Sequence, residues 1–423
     1  MARRVVITGM GVVAPNGVGL ADFTSAIQNG ISGIRFDEQL ATLDFSCQIA
    51  GKPQLTEQQI KACFLDLELR NFNSTGILYG VIAGMEAWRD AGLSLASGEE
   101  PDYESGTIFG TGTSGIDKFR ESIYKIDNKE VRKLGSTAVA QTMGSGVSAY
   151  LGGKLGLGNQ VSTNSSACAT GTESILMCFE RIKNGKATRM LAGSTSDSGP
   201  FIWGGFDAMK VCTYKHNDNP TKGSRPMSAS ASGFVPGSGA GALVLESLDS
   251  AIARNAKIYA EVLGGDVNSG GQLGAGSMTA PNSLAVQRCI QHAVADAGIT
   301  SDDIDAINGH LTATSKDALE IENWTIAIKR KVREFPYINS LKSTTGHCLS
   351  AAGSIECVAS VLQIYNGFIF PNVNSEDLNP DIAKLIDSAC VPQVLLKKNI
   401  NIVAKANFGF GDVNACVIFK KYE

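Results

Sequence analysis

One cysteine and two histidines, far apart in the chain, are the residues whose settings point to covalent chemistry. Cys168 lies in Val161-Ser162-Thr163-Asn164-Ser165-Ser166-Ala167-Cys168-Ala169-Thr170-Gly171, where strand-like sequence turns abruptly into helix-like sequence. That junction sets a sulfur near the first unpaired N–H groups of a helix, and those groups with the helix dipole favour the thiolate, the nucleophilic form. A free cysteine is also often just a small buried hydrophobe, and the chain has ten. Two distant segments shift the balance. Asn308-Gly309-His310-Leu311-Thr312-Ala313-Thr314 and Lys342-Ser343-Thr344-Thr345-Gly346-His347 each end a predicted strand with a histidine among small polar residues, using two of only four histidines. A thiolate with two imidazoles on separate strand ends points to acyl-thioester chemistry.

Such chemistry needs a nucleophile, N–H donors for a tetrahedral oxyanion, and groups that stabilise an enolate. Cys168 supplies the first, and its own backbone N–H is well placed for the second. A partner donor is available in Asn407-Phe408-Gly409-Phe410-Gly411-Asp412, where glycines let the backbone approach a ligand closely. An ordinary tight hairpin is the other reading of that segment. His310 and His347, as neutral imidazoles protonated on Nε2, suit the third task, both donating to one thioester carbonyl as its α-carbon loses carbon dioxide. Taken singly, each also reads as a satisfied core histidine. Lys342 is expected at a strand end, pointing inward, and a buried lysine demands a partner. Glu320, in the helix start Asp317-Ala318-Leu319-Glu320, is the expected one, and the pair would support the site's electrostatics without carrying protons.

The elements that must position these groups alternate between strand-like and amphipathic helical runs, the mark of a layered α/β architecture. Strands are expected at 5–8, 106–110, 188–194, 241–246, 304–308, 337–341, 401–406 and 415–419, and helices at 78–91, 169–182, 284–297, 317–328 and 351–365. The stretch 201–232, with its turns at Asp218-Asn219-Pro220 and Ser224-Arg225-Pro226, reads as a long functional loop. A second α/β half starts near Ala256, so two halves, 1–250 and 251–423, are expected with one site where they meet. The glycine-rich Gly110-Thr111-Gly112-Thr113-Ser114-Gly115 invites a phosphate-binding reading, but it has neither the Lys-Ser/Thr ending of a P-loop nor GxGxxG spacing.

Composition narrows the class. With 423 residues, 47 glycines, 43% hydrophobic and 18% charged residues, the chain can bury a large core with many tight turns. A net charge of −4 argues against a general nucleic-acid binder. The cysteines at 47, 63, 168, 178, 212, 289, 348, 357, 390 and 416 form no CxxC pair and no metal-ligand spacing, so no metal site is expected. Scattered cysteines without a secretion signal imply a reducing cytoplasm. No run of about 18 apolar residues exists to span a membrane, and the opening Val5-Val6-Ile7-Thr8 reads as a buried strand.

These residues together resemble the β-ketoacyl-acyl-carrier-protein synthases of the thiolase superfamily, and most of all their elongating type-II members. The resemblance runs over essentially the whole chain. It begins with Val6-Ile7-Thr8-Gly9-Met10-Gly11 and includes Ser166–Gly171, Asn217–Pro220, Ser224–Pro226, Gly233–Gly241, Lys342–His347 and Phe408–Gly411. It implies a five-layered αβαβα thiolase fold, a homodimer or a heterodimer with a chain-length factor, and a triad of Cys168, His310 and His347. It also implies an oxyanion hole from the Cys168 and Phe410 N–H groups, with Phe410 gating the acyl pocket and Lys342 with Glu320 as a supporting charged pair. Thr312 and Thr314, with Thr279 as a third, would hold the phosphopantetheine arm of an acyl carrier protein. Phe408, Gly409 and Asp412 complete the expected substrate site. No cofactor is implied beyond that carrier-borne arm. The implied reaction is a decarboxylative condensation: Cys168 takes an acyl group, and malonyl on a second carrier extends it by two carbons.

Several departures from the family pattern matter. Leu311 stands where the family has glycine, Ala313 where it has serine, and the loop before Asp317 is one residue shorter. The pattern Gly-Phe-Gly-Gly-Thr-Asn becomes Gly409-Phe410-Gly411-Asp412-Val413-Asn414, setting a carboxylate beside the gate. A lysine-rich surface helix becomes Leu65-Asp66-Leu67-Glu68-Leu69-Arg70, which leaves docking of an acidic carrier to other basic residues such as Lys210, Lys215, Arg132 or Lys133. The departures fit a specialised synthase of an aryl-polyene or flexirubin-like pathway. Three rivals stand beside this reading. A chain-length factor would lack the cysteine, a coenzyme-A thiolase would need a second cysteine in the C-terminal glycine loop, where Cys416 does not lie, and a non-enzymatic scaffold would leave the cluster without purpose.

Overall fold

Ten strands, most of them buried on both faces, arrange themselves twice in the same order. The computed structural model describes residues 3–95 and 98–423. In the first half the strands are β1 (Val5–Ala14), β2 (Ser105–Thr111), β3 (Val161–Ser162), β4 (Arg189–Ser196) and β5 (Gly239–Ser247). In the second they are β6 (Ala260–Ser269), β7 (Ala306–Asn308), β8 (Tyr337–Asn339), β9 (Ile402–Gly409) and β10 (Val413–Lys420). The spatial order is β1-β5-β4-β2-β3 and, continuing from β1, β6-β10-β9-β7-β8. Directions repeat too: the first two pairings of each half are antiparallel and the last two parallel. A three-residue antiparallel pairing, Val5↔Val262 to Ile7↔Ala260, joins the halves into one sheet. The short strand Gly17–Val18 pairs onto β1 and brings the described sheet to eleven strands.

Parallel strands need crossover helices, and buried sheet faces need covers. Five helices do most of this work: α1 (Thr75–Asp90), α2 (Thr170–Lys183), α3 (Ser283–Asp296), α4 (Asp317–Ile328) and α5 (Ala352–Asn366). The α1 helix covers β1, β5 and β4 from outside, and α3, backed by α4, covers β6 and β10. Between the two half-sheets lie α2 and α5, which pack on each other and on strands of both halves. Each follows the third strand of its half, so they are equivalent elements. The result is the five-layered αβαβα arrangement of the thiolase fold. All residues of α5 from Ala352 to Ile364 are buried, as a central layer demands. Where the two middle helices cross, a Cβ on Gly171 would lie 2.2 Å from the Ser354 nitrogen, and one on Gly353 would lie 2.6 Å from the Thr172 nitrogen. Only glycine admits that approach.

Three local expectations change. The stretch 201–232 is not all loop, because Pro200–Ala208 forms a helix with proline in its first turn, where the missing N–H costs nothing. His347 does not end a strand: a helical turn, Lys342–Thr345, separates it from β8, and Lys342 opens that turn. Residues 66–70 form consecutive turns and not a helix. Among the described residues no helix is long and apolar enough to cross a membrane, and all ten cysteines are free.

Candidate active site

Cys168, the expected nucleophile, sits on a strained turn. Cys168 lies in a single 3-10 turn, Ala167–Ala169, leading into α2. Ala167 is held at φ 49, in the left-handed region that alanine disfavours. The Thr170 hydroxyl locks the turn, accepting from the Ser166 N–H at 2.9 Å and donating to the Ala167 carbonyl at 2.7 Å. Cys168 is partly exposed and lines a cavity of about 460 Å³ shared with both histidines.

Loop 310–314 carries the first histidine and is held from behind by two buried carboxylates at the start of α4. Glu320 accepts the His310 N–H at 2.6 Å and the Leu311 N–H at 2.7 Å. Asp317 accepts the N–H groups of Thr312 at 3.0 Å and Ala313 at 3.2 Å, and that of Met227 at 2.9 Å. Burial pushes Glu320 up to about 7 and Asp317 up to about 6, against the pull of these N–H donors. This employment corrects the expected pairing: Glu320 holds backbone and does not partner Lys342. Leu311 sits at φ 22 and is fully buried, so where the family has glycine this chain holds a leucine in the left-handed region, anchored by core packing and by Glu320.

The ammonium of Lys342, 1% exposed, instead meets the carboxylate of Glu356 on α5. A second buried lysine, Lys405 on β9, reaches the other oxygen of Glu356 at 2.9 Å. Flanked by two ammonium groups, Glu356 is held down at about 2 despite its burial. Neither Glu356 nor Lys405 was anticipated. A signal existed for both: each is the lone charge in an otherwise apolar run, Ile355-Glu356-Cys357-Val358 and Val403-Ala404-Lys405-Ala406.

His310, His347 and Cys168 come together, with one ring nitrogen of each histidine and the sulfur all within 4.8 Å of one another. The imidazole centroids are 5.3 Å apart and nearly perpendicular, at 81°. Phe408 and Phe234 flank them, Phe408 against His310 at 6.2 Å and Phe234 against His347 at 5.2 Å. Hydrogen bonds decide the tautomers. The Leu349 N–H donates to His347 Nδ1 at 3.2 Å, and the Asn407 amide nitrogen stands 3.2 Å from His310 Nδ1. Both Nδ1 atoms therefore accept, and both neutral rings carry their proton on Nε2. Neutrality is itself favoured: burial first, then Lys342, lowers His347 to about 3 and His310 well below the usual histidine range. A metal bound at Nε2 would need a proton on each Nδ1, facing donors that already occupy it, so these residues do not fit a metal ion.

The sulfur is not the resting thiolate that its helix position suggested. Burial pushes the Cys168 thiol up to about 11, with Lys342 and the backbone N–H of Phe410 pulling the other way. Its own backbone N–H pulls in the same direction as that of Phe410, so two backbone donors favour negative charge beside the sulfur. The segment Asn407–Asp412 is both a hairpin and a site wall. Gly409 pairs with Val413 across β9 and β10, yet a Cβ on Gly409 would come within 3.0 Å of the Ser166 carbonyl oxygen and 3.2 Å of the Cys168 nitrogen. Phe410 stands 6.0 Å from Phe206 across the cavity.

Thr279, Thr312, Thr314, Phe408 and Gly409 all line the cavity, as does Lys316, which sequence reasoning passed over. Asp412 does not. It is 1% exposed, and its carboxylate accepts the Gln272 N–H at 3.0 Å and the Asn282 N–H at 2.8 Å. Its work is to tie the β9–β10 hairpin to the 270–282 loop that carries Thr279. Cys416 is fully buried in β10 and does not line the cavity.

Residues 2–251 match the beta-ketoacyl synthase N-terminal domain family and residues 259–376 the C-terminal domain family. The 3-oxoacyl-acyl-carrier-protein synthase 2 of Vibrio cholerae is 34% identical over 429 residues, covering 99% of both chains. A beta-ketoacyl synthase structure from Burkholderia phymatum superposes with a TM-score of 0.90 at 28% identity, covering all of both chains. A type II PKS ketosynthase solved in complex with its acyl-carrier protein and bound to the hexaketide gives 0.88, also at 28% identity and full coverage of both chains.

Proposed function

The chain belongs to the beta-ketoacyl synthase family, and on that footing we propose how its own residues divide the condensation. It is an acyltransferase that joins an acyl group to malonyl carried on an acyl carrier protein, releasing carbon dioxide and a 3-oxoacyl chain. Cys168 is the acyl acceptor. Its S–H proton passes to the departing thiol of the carrier's arm as the new C–S bond forms. Malonyl on a second carrier then enters with its thioester oxygen between the Nε2–H groups of His310 and His347. The bond to its carboxylate breaks, carbon dioxide leaves, and the electrons rest on that oxygen as an enolate held by two donors. The α-carbon attacks the Cys168 thioester, whose oxyanion the Cys168 and Phe410 N–H groups receive. Collapse breaks the C–S bond, releases the product on its carrier and leaves a Cys168 thiolate, which takes a proton from solvent to return to S–H.

The observation that carries this assignment is the convergence of one ring nitrogen of each histidine on the space beside the sulfur, while each Nδ1 faces an N–H or amide nitrogen. Phe410 is the gate, Thr312, Thr314 and Thr279 hold the phosphopantetheine arm, and the buried Lys342–Glu356 pair supplies electrostatic support. Exposed Lys210, Lys215, Arg132 and Lys133 are the proposed docking residues for the acidic carrier. A chain-length factor has no use for a complete triad, and a thiolase's second cysteine is missing from the cavity.

The test is a division of labour. Cys168→Ala should abolish condensation while malonyl decarboxylation survives. His310→Ala and His347→Ala should each slow decarboxylation on the order of 100-fold, the usual loss for one oxyanion donor, and affect acyl loading less. Loss of acyl loading alone in both histidine variants would contradict the assignment.

The finer proposals concern setting. Residues 1–250 form a half carrying the nucleophile and 251–423 a half carrying both histidines. The working form is a homodimer: the free sheet edge at β3 lies in the same half as a helix, Ile116–Asp127, that exposes Phe119, Ile123, Tyr124 and Ile126. Ten free cysteines favour the cytoplasm. The altered loops at Leu311 and Asp412 support a specialised role in an aryl-polyene or flexirubin-like pathway. Turnover of conjugated polyenoyl carriers should then exceed that of saturated ones, and a preference for long saturated chains would defeat the idea.

A further inference from the structure

Asn407 touches the catalytic machinery on three sides, and the reaction as described gives it no task. It is fully buried on β9, one residue before Phe408. Its amide nitrogen lies 2.9 Å from Glu356 Oε2 and 3.2 Å from His310 Nδ1. Its amide oxygen accepts the Thr172 hydroxyl at 2.6 Å, and Thr172 is on α2, the helix that the Cys168 turn leads into.

We propose that Asn407 is a positioning residue that holds His310 as the Nε2–H tautomer, so that the face turned toward Cys168 is always a donor. The amide's orientation follows from its neighbours. An ionised carboxylate can only accept, and Glu356 is held ionised by Lys342 and Lys405. The NH₂ group must therefore face Glu356, and the carbonyl oxygen falls to Thr172. The second amide hydrogen is left pointing at His310 Nδ1, which has to meet it with a lone pair. A proton on Nδ1, in the other neutral tautomer or in the imidazolium, would set donor against donor in a buried site.

The two lysines thus act on the reaction at a distance: they fix Glu356, Glu356 fixes the amide, and the amide fixes the ring. The charged and titratable groups around His310 are Lys342, Lys405 and His347, with Glu356 behind Asn407, Glu320 at its backbone and Cys168 in front. Through Thr172 the same amide ties the nucleophile's helix to the histidine, so one side chain registers both reacting groups.

This inference rests on the reading of His310 as a donor to the malonyl thioester. The test separates the two. The chain has four histidines, His216, His292, His310 and His347, so ring-nitrogen NMR of ¹⁵N-histidine-labelled full-length protein is tractable. Wild-type His310 should show a neutral Nε2–H ring that does not titrate between about pH 5.5 and 8, where a free histidine would. In Asn407→Asp the new carboxylate faces Nδ1 and should draw the proton to it. Decarboxylation of malonyl carrier should then fall on the order of 100-fold and become pH-dependent, while acyl loading of Cys168 persists. Asn407→Ala should show a mixture of tautomers and an intermediate loss. An Nδ1–H or titrating ring in the wild type would overturn the proposal without any variant. So would an unchanged Nε2–H ring in both variants. If the tautomer moves and decarboxylation does not, the positioning role stands and the donor role of His310 falls.

Discussion

At Cys168 burial competes with two attractions, and the balance sets how the sulfur behaves. Burial raises the thiol to about 11 against Lys342 and the Phe410 N–H, so near neutrality the resting form is S–H. Its thiolate fraction should grow roughly tenfold per pH unit below that value. Iodoacetamide labelling of Cys168, followed by peptide mass spectrometry, should accelerate from pH 7 through pH 9 without levelling off. A plateau by pH 8 would show a thiolate already stabilised. The grouping of Cys168, His310 and His347 was legible in the chain because each lies in an unusual setting for its type. Their ionic partners were not. Which carboxylate meets Lys342 depends on whether α4 or α5 lies over it, and no spacing reveals that; Glu320, nearer in the expected picture, proved to be holding N–H groups.

Among the elements, α5 supplies the single carboxylate, Glu356, that meets both Lys342 and Lys405. Replacing it by glutamine would leave Lys342 and Lys405 facing each other with no anion between them. Breaking a buried pair in this way typically costs about 3–5 kcal/mol, and urea unfolding of Glu356→Gln should show a loss of that order. The sign with pH follows from the depressed value: folded Glu356 at about 2 lies below its ordinary 4.5, so its contribution is complete above pH 4.5 and disappears as pH falls toward 2. The variant should lack that part of the acid limb, and an unchanged limb would contradict the pairing. Helix α4 was read to the residue at both ends, although the face it buries includes Asp317, Glu320 and Asn323 beside its apolar residues. The turn Lys342–Thr345 and the helix Pro200–Ala208 were missed because small polar and glycine-rich sequence carries little helical signal, and tertiary contacts decide its form.

Across the whole molecule, two halves without visible sequence repetition share one strand order and one set of directions. Alternating strand and helix patterns were enough to indicate layered halves, but the order β1-β5-β4-β2-β3 was beyond them, since a strand buried on both faces shows no preference for its neighbour. That architecture brings the middle helices together and delivers a thiol from one half to two imidazoles from the other. Its most direct test is a native mass spectrum taken after incubation with an acyl carrier protein bearing the acyl group, then again after malonyl carrier is added. The expected first spectrum is a dimer with an acyl group on each chain, mapped to Cys168; in the second that mass is lost and the product on the carrier is longer by two carbons. An acyl group on any other cysteine, or a Cys168 adduct that malonyl carrier cannot discharge, would contradict the account.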